Sequence, residues 1–139
     1  MEGHFEAVNQ QNVVNRRLAN SLNHIVGLAW VNLIQSLLDY LDGQPENAIQ
    51  ALATSENFAT QAVIRYFVHL GYALTHYYDE TIFKRHLFSA MRQADEFAAF
   101  GARIWCIPPL AVWETGHGQP VRAVELLGLA EIQPTYQVG

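Results

Sequence analysis

Apolar residues recur at helical spacing along most of the chain, and the breaks between them fall at turn-forming residues. Leu22, Ile25, Val26, Ala29, Leu33, Leu37 and Leu41 make one broad stripe that ends at Gly43. Their steps of three and four place them on one side of a helix. Ala62, Val63, Tyr66, Phe67, Leu70 and Leu74 make a second stripe, which fades near Tyr78. Phe83, Leu87, Ala90, Met91 and Ala94 make a third, and Gly101 is expected to break it. Shorter periodic stretches run from near Gly3 to about Ala19, across Ala48, Ile49 and Leu52, from Leu110 to Thr115 and from Val121 to Ala130, with Pro134 ending regular structure. The pattern predicts about eight helical segments and no strand. Thr54 or Ser55, and then Asp79 or Thr81, stand where a helix N-cap is expected.

Two of the breaks share a phrase. Gly43-Gln44-Pro45 is followed by Ala48 and Leu52, and Gly118-Gln119-Pro120 by Ala123 and Leu127. Glycine just past a helix end can take the left-handed conformation that closes the last turn. Proline two places later suits the first turn of the next helix, where its missing N–H would have no partner anyway. The phrase therefore predicts a helix-turn-helix joint used twice, with Gly3-His4-Phe5-Glu6-Ala7-Val8 as a worn third copy.

A longer register underlies the joints. Ser36, Gly71 and Ala111 are small residues on the first helix of successive pairs, and Leu52, Leu87 and Leu127 each follow sixteen residues later. The units are 35 and 40 residues apart, inside the range of about 34 to 47 for helix-pair repeats. The sequence thus predicts an all-α fold of stacked antiparallel helix pairs, a single domain over residues 1–139.

Ala111, Gly118, Ala123, Leu127 and Ala130 follow the small–Gly–Ala–Leu–Ala order that resembles the tetratricopeptide repeat. The run Arg122-Ala123-Val124-Glu125-Leu126-Leu127-Gly128-Leu129-Ala130, with Pro134 beyond, is similar to the helical-repeat region of large bacterial signalling proteins. These include signal-transduction ATPases and LuxR-type and cyclase-linked regulators. Phe83 stands where the repeat has alanine, Gln35 where it has a large apolar residue, and Pro108-Pro109 fall at the start of a first helix. The resemblance implies a superhelical scaffold that recognises a protein or an effector on its concave side. On that side the register puts Trp30, Arg65 and Trp105 at equivalent places, with the bland alternative that the two tryptophans are core packing.

Composition narrows the partners. Half the residues are hydrophobic and 15% are charged, against roughly 25% in an ordinary soluble domain. Such a neutral surface is expected where the end helices of a stack show apolar faces, which points to self-association or to a piece of a longer multidomain protein. The net charge is -5 and Lys84 is the only lysine, so Lys84-Arg85-His86 reads as a solvated helix face and direct nucleic-acid contact is not expected. No segment has the length and apolarity of a membrane span, and no signal peptide is recognisable, so a cytoplasmic protein is expected. Cys106 sits among apolar neighbours and is expected to be buried and inert.

One cluster invites a chemical reading: Tyr66, His69, Tyr72, His76, Tyr77 and Tyr78, with Asp79 and Glu80 beyond. His69, Tyr72 and His76 are three and four apart and share a helix face. Two histidines seven apart do not easily chelate one ion, so the expectation is ligand contact or polar packing, with no metal and no cofactor. No phosphate-cradling loop, zinc motif or nucleophile elbow is present. Asp79-Glu80 and Asp95-Glu96 are adjacent pairs whose side chains diverge, unlike acid/base partners. The chain is therefore expected to be non-catalytic, a regulatory or interaction scaffold contacting a partner protein or another domain of its parent chain. Trp30, Arg65, His69, Tyr72, His76 and Trp105 are the candidate contact residues. A small-molecule effector sensor is the alternative, and a metal-dependent all-α enzyme the third possibility.

Overall fold

The computed structural model of the chain describes residues 2–97 and 100–132. Among these the regular structure is all helical: α1 (Glu2–Ser21), α2 (Ile25–Leu41), α3 (Pro45–Asn57), α4 (Ala62–Thr75), α5 (Glu80–Glu96), a one-turn α6 (Phe100–Ile104), α7 (Ile107–Gly116) and α8 (Pro120–Glu131). The tightest pairings are α2 with α3, α4 with α5 and α7 with α8, and α4 also packs on α2 and α3. The turns between helices are short, as in antiparallel helix hairpins. The expected end of regular structure at Pro134 lies outside the described residues.

The doubled phrase builds the same joint twice, atom for atom. Gly43 N–H donates to Tyr40 O (3.1 Å) and Gln44 N–H to Asp39 O (2.8 Å); Gly118 N–H donates to Thr115 O (3.3 Å) and Gln119 N–H to Glu114 O (2.9 Å). This is the Schellman pairing, which satisfies the last carbonyls of a helix and needs a left-handed residue after the cap. Both glycines supply it, at φ +73° and +76°. Pro45 and Pro120 then open α3 and α8 as their first residues.

A third joint of this kind exists, away from Gly3. Gly3 lies inside α1, whereas Asn23 takes φ +51° and His24 N–H donates to Ala19 O at 2.9 Å, the same six-residue closure. Asparagine, whose short polar side chain can hydrogen-bond locally, enters the left-handed region more readily than most residues with a Cβ. Leu22 consequently sits in the turn, 66% exposed, and not on the stripe of α2. His24 caps α2, its Nδ1 accepting from Gly27 N–H.

Other boundaries move for similar local reasons. Thr54 and Ser55 fall within α3, where their hydroxyls donate to the Gln50 and Ala29 carbonyls, and Gln61 precedes α4 without a side-chain cap. Asp79 does cap α5, accepting from Ile82 N–H at 3.0 Å. Gly101 does not end α5, which stops at Glu96; it lies within α6. Pro108 and Pro109 fit in the first turn of α7, which starts at Ile107, since early helix positions need no N–H donor.

Among the described residues two clusters form the core. Ala29 of α2 meets Ile64 and Val68 of α4, and a larger set joins Tyr66 and Ala73 of α4 to Phe83, Leu87 and Ala90 of α5, Cys106 and Trp113. The register residues sit at the contacts. A methyl group on Gly71 would come within 2.6 Å of the Leu52 side chain, so α4 reaches α3 this closely only because it has glycine there. Phe83, where the repeat has alanine, is fully buried and stacks on Trp113 with ring centres 5.7 Å apart. Leu127 is looser than its equivalents, 39% exposed, and Val121 and Val124 of α8, its C-cap Ile132, and Val14 and Leu18 of α1 are more than half exposed. The two end helices thus carry apolar residues that no other described residue covers.

Candidate functional site

The helical stripes predicted from sequence are wider than the core requires, and the surplus lines a cavity of about 980 Å³ between α2, α4 and the α6–α7 segment. From α2 come Trp30, Leu33, Ile34, Leu37 and Tyr40, and from α4 Val63, Tyr66, Phe67, Leu70 and Leu74. Phe97, Trp105 and the Pro108-Pro109 pair make the third side. Within α2 and α4 the spacing of three and four turns one row of side chains from each helix toward the cavity. Leu37 is 54% exposed and Trp105 50% exposed, so the cavity opens to solvent as a groove.

Almost nothing in the groove is free to hydrogen-bond. Ser36 Oγ donates to Leu33 O at 2.6 Å, Thr75 Oγ1 to Gly71 O at 3.0 Å, and Tyr66 OH to Ala102 O at 2.8 Å. Burial drives the Tyr66 phenol well above its ordinary range, so it stays neutral. Tyr40, 38% exposed, is the one lining tyrosine near solvent. The groove walls are thus almost wholly apolar.

The six predicted contact residues do not form one site. Trp30 and Trp105 line the groove. Trp30 is partly buried against Phe67, ring centres 5.7 Å apart, whereas half-exposed Trp105 is not core packing. Arg65 turns away and braces the chain: it donates to the Ala59 and Thr60 carbonyls, to Gln93 on α5 and to Glu96 at 3.0 Å. Its equivalence to the tryptophans was one of register only, because a cation has no counter-charge in so apolar a groove.

His69 and Tyr72 lie on another side of α4, facing α5 and α3. His69 Nδ1 stands 3.0 Å from Nδ1 of His86, and the ring centres are 5.3 Å apart, so the two nitrogens meet head-on. Tyr72 lies over His86 with ring centres 4.8 Å apart and donates its OH to Glu56 at 3.1 Å. Burial and the Glu56 charge push the Tyr72 phenol up to about 12. His76 is the C-cap of α4, its Nδ1 2.9 Å from Tyr72 O, and takes no place in the His69–His86 pair. Tyr77 donates to Val112 O on α7, and Tyr78 is 94% exposed.

Head-on imidazole nitrogens share a hydrogen bond; ligands of one ion would converge on a third point. Among the described residues no three His, Cys, Asp or Glu side chains stand together as a metal site. The carboxylate pairs are divided among structural tasks: Asp79 caps α5, Glu80 pairs with Lys84, Asp95 with Arg103 and Glu96 with Arg65. Cys106 is 1% exposed, and burial pushes its thiol up to about 11, far from a reactive thiolate.

His86 was missed from sequence because Lys84-Arg85-His86 reads as a solvated run. Arg85 fits that reading by its exposure, whereas the Lys84 ammonium, paired with Glu80, lies 4.7 Å above the Trp113 ring and His86 turns inward. A signal for it existed: His86 stands three residues after Phe83 and four before Ala90, at the edge of the buried stripe of α5. No family model, curated protein or solved structure matches the chain. Among the described residues no helix is long and apolar enough to cross a membrane.

Proposed function

We propose that the chain is a non-catalytic recognition domain that takes the apolar side of an amphipathic helix into the groove between α2, α4 and α6–α7. One observation carries this reading: two rows of apolar side chains at helical spacing, one from α2 and one from α4, flank an open groove whose hydroxyls at Ser36, Tyr66 and Thr75 are already bonded to backbone carbonyls. Such rows are the complement of a third helix presenting residues at i, i+3, i+4 and i+7. A polar effector finds few orienting partners there, Tyr40 at the solvent edge being the main one, and specific small-molecule sites depend on a few well-placed polar groups.

In this reading the helix pairs are a short tetratricopeptide-like superhelix and the groove is its concave side. The repeated Schellman joints, the Ser36–Gly71–Ala111 register and the close fit of Leu52 on Gly71 support it. The helix bound belongs to a partner protein or to another part of the parent chain, and the domain works as a cytoplasmic regulatory scaffold of the kind the sequence resembles in bacterial signalling proteins. The exposed apolar residues of α1 and α8 suit further helix pairs or a second copy stacked on the ends.

The test is a fluorescein-labelled model peptide with leucines at i, i+3, i+4 and i+7, read by anisotropy against a scrambled peptide of the same composition. Saturable binding to the patterned peptide alone, lost in Leu37→Glu, is expected. Equal binding of both peptides, or unchanged binding by Leu37→Glu, overturns the proposal. A screen of uncharged lipophilic small molecules that stabilises the chain where the peptide does not bind favours the effector reading instead.

A further inference from the structure

The His69–His86 pair lies across the seam between α4 and α5, and its geometry limits its protons. Nδ1 to Nδ1 is 3.0 Å, a hydrogen-bond distance at which one nitrogen donates and the other accepts. With both rings neutral the seam holds one N–H···N bond. A first added proton is accommodated on the outward nitrogen of the donor ring, leaving a charge-assisted bond in place. A second proton must occupy the accepting Nδ1, so that two N–H groups and two positive charges meet at bonding distance.

We infer that His69 and His86 form a proton-counting clamp: the α4–α5 seam is closed with none or one proton on the pair and opens when the second binds. The surroundings reinforce the limit. Facing the pair are Glu56 from α3, Arg65, Tyr72 and His76 from α4, and Arg85 and Arg92 from α5. One carboxylate, itself bonded to the Tyr72 hydroxyl, stands against three permanent cations, of which Arg65 is already paired with Glu96. Tyr72 covers one side of the His86 ring and partly shields it from water.

The pH window follows from burial. Desolvation lowers the His69 pKa, with the Arg92 and Arg65 charges adding to it and Glu56 opposing. Desolvation, then His69, Arg85 and His76, bring His86 down to about 4. In the unfolded chain both rings titrate near about 6.5, so the unfolded state binds more protons at acid pH. Stability from the pair is therefore fully present above about pH 6.5 and is lost as pH falls toward about 4. One proton of difference changes the unfolding equilibrium by at most about tenfold per pH unit, less for half-exposed rings that water screens. The two protons titrate as properties of the pair.

Urea unfolding of the full chain at a series of pH values from 7.5 to 4 tests the clamp, alongside His69→Phe, His86→Phe and long-range ¹H–¹⁵N spectra of the wild-type histidines. The expected result is a several-fold weakening of the wild type per pH unit across the window that either variant flattens. The spectra should show one Nδ1 protonated at pH 7.5 and the second following only as the α4–α5 resonances shift. Equal pH slopes in wild type and variants overturn the inference. So do spectra in which both Nδ1 atoms are protonated by pH 5.5 with α4–α5 resonances unmoved, a readout that needs no variant to fold. Because α4 also supplies Phe67 and Leu70 to the groove, peptide binding should weaken in the same window. That consequence rests on the proposed function, whereas the stability and spectral results do not, so the two readings fail separately.

Discussion

Substituting the joint glycines isolates the backbone physics that organises the fold. Gly43 and Gly118 hold φ +73° and +76°, and a methyl group built on either meets no atom within 4 Å. Gly43→Ala therefore carries no packing penalty, and its cost is the left-handed backbone, about 1–2 kcal/mol for a residue with a Cβ. Part of this is offset, by about 0.4–1 kcal/mol, because alanine narrows the unfolded ensemble. The net loss is about 1 kcal/mol, roughly fivefold in the folding equilibrium. Gly43→Asn should lose less than half of that, since Asn23 already performs this task at φ +51° in the first joint. Gly3→Ala supplies the contrast: Gly3 lies exposed within α1, where alanine is neutral or stabilising. Gly43→Ala and Gly118→Ala sit in different helix pairs, so their losses should add. Urea unfolding followed by circular dichroism at the helical band measures all of these. The reasoning is refuted if Gly43→Ala is as stable as the wild type, or if Asn costs as much as Ala.

Leu52→Ala removes a fully buried side chain seated on Gly71, and a loss of about 2–5 kcal/mol in denaturant titration is expected. Leu37→Glu changes a half-exposed groove residue, so thermal unfolding should stay within about 0.5 kcal/mol of wild type while binding of the leucine-patterned peptide disappears. Arg65→Ala abandons two loop carbonyls, Gln93 and Glu96; a loss of about 1–2 kcal/mol is expected in the same titration, discounted for its partial exposure, with Lys restoring only part. Cys106 should resist a thiol reagent in the native state at pH 8 and react fully in denaturant, and rapid native labelling would contradict its burial.

Much of the fold was legible in the linear pattern because its signals are local. A glycine that must be left-handed, a proline that needs no N–H and apolar residues three and four apart act within a single turn of chain. They specified α2, α3, α4, α5 and α8 and both joints. The joint at Asn23 was not legible for the same local reason: asparagine is a weaker left-handed signal than glycine, and Gly3 carries the stronger one without forming a joint. Gly101 misled because one glycine does not end a helix when its neighbours carry the chain onward.

The site depended on what the chain brings together across long separations. Nothing within a turn of Arg65 says that its partners are Ala59, Thr60, Gln93 and Glu96, or that the groove side of α4 belongs to Phe67 and Leu70 while His69 faces His86. Sequence by itself determined that the chain is a run of short helices, and which residues are apolar enough to be shared between a core and a surface. Tertiary structure alone decided which of those stayed exposed to line a groove, because that depends on how closely neighbouring helices approach. It also decided that a histidine from a run of basic residues ends head-on against another, since the pairing joins residues on two different helices.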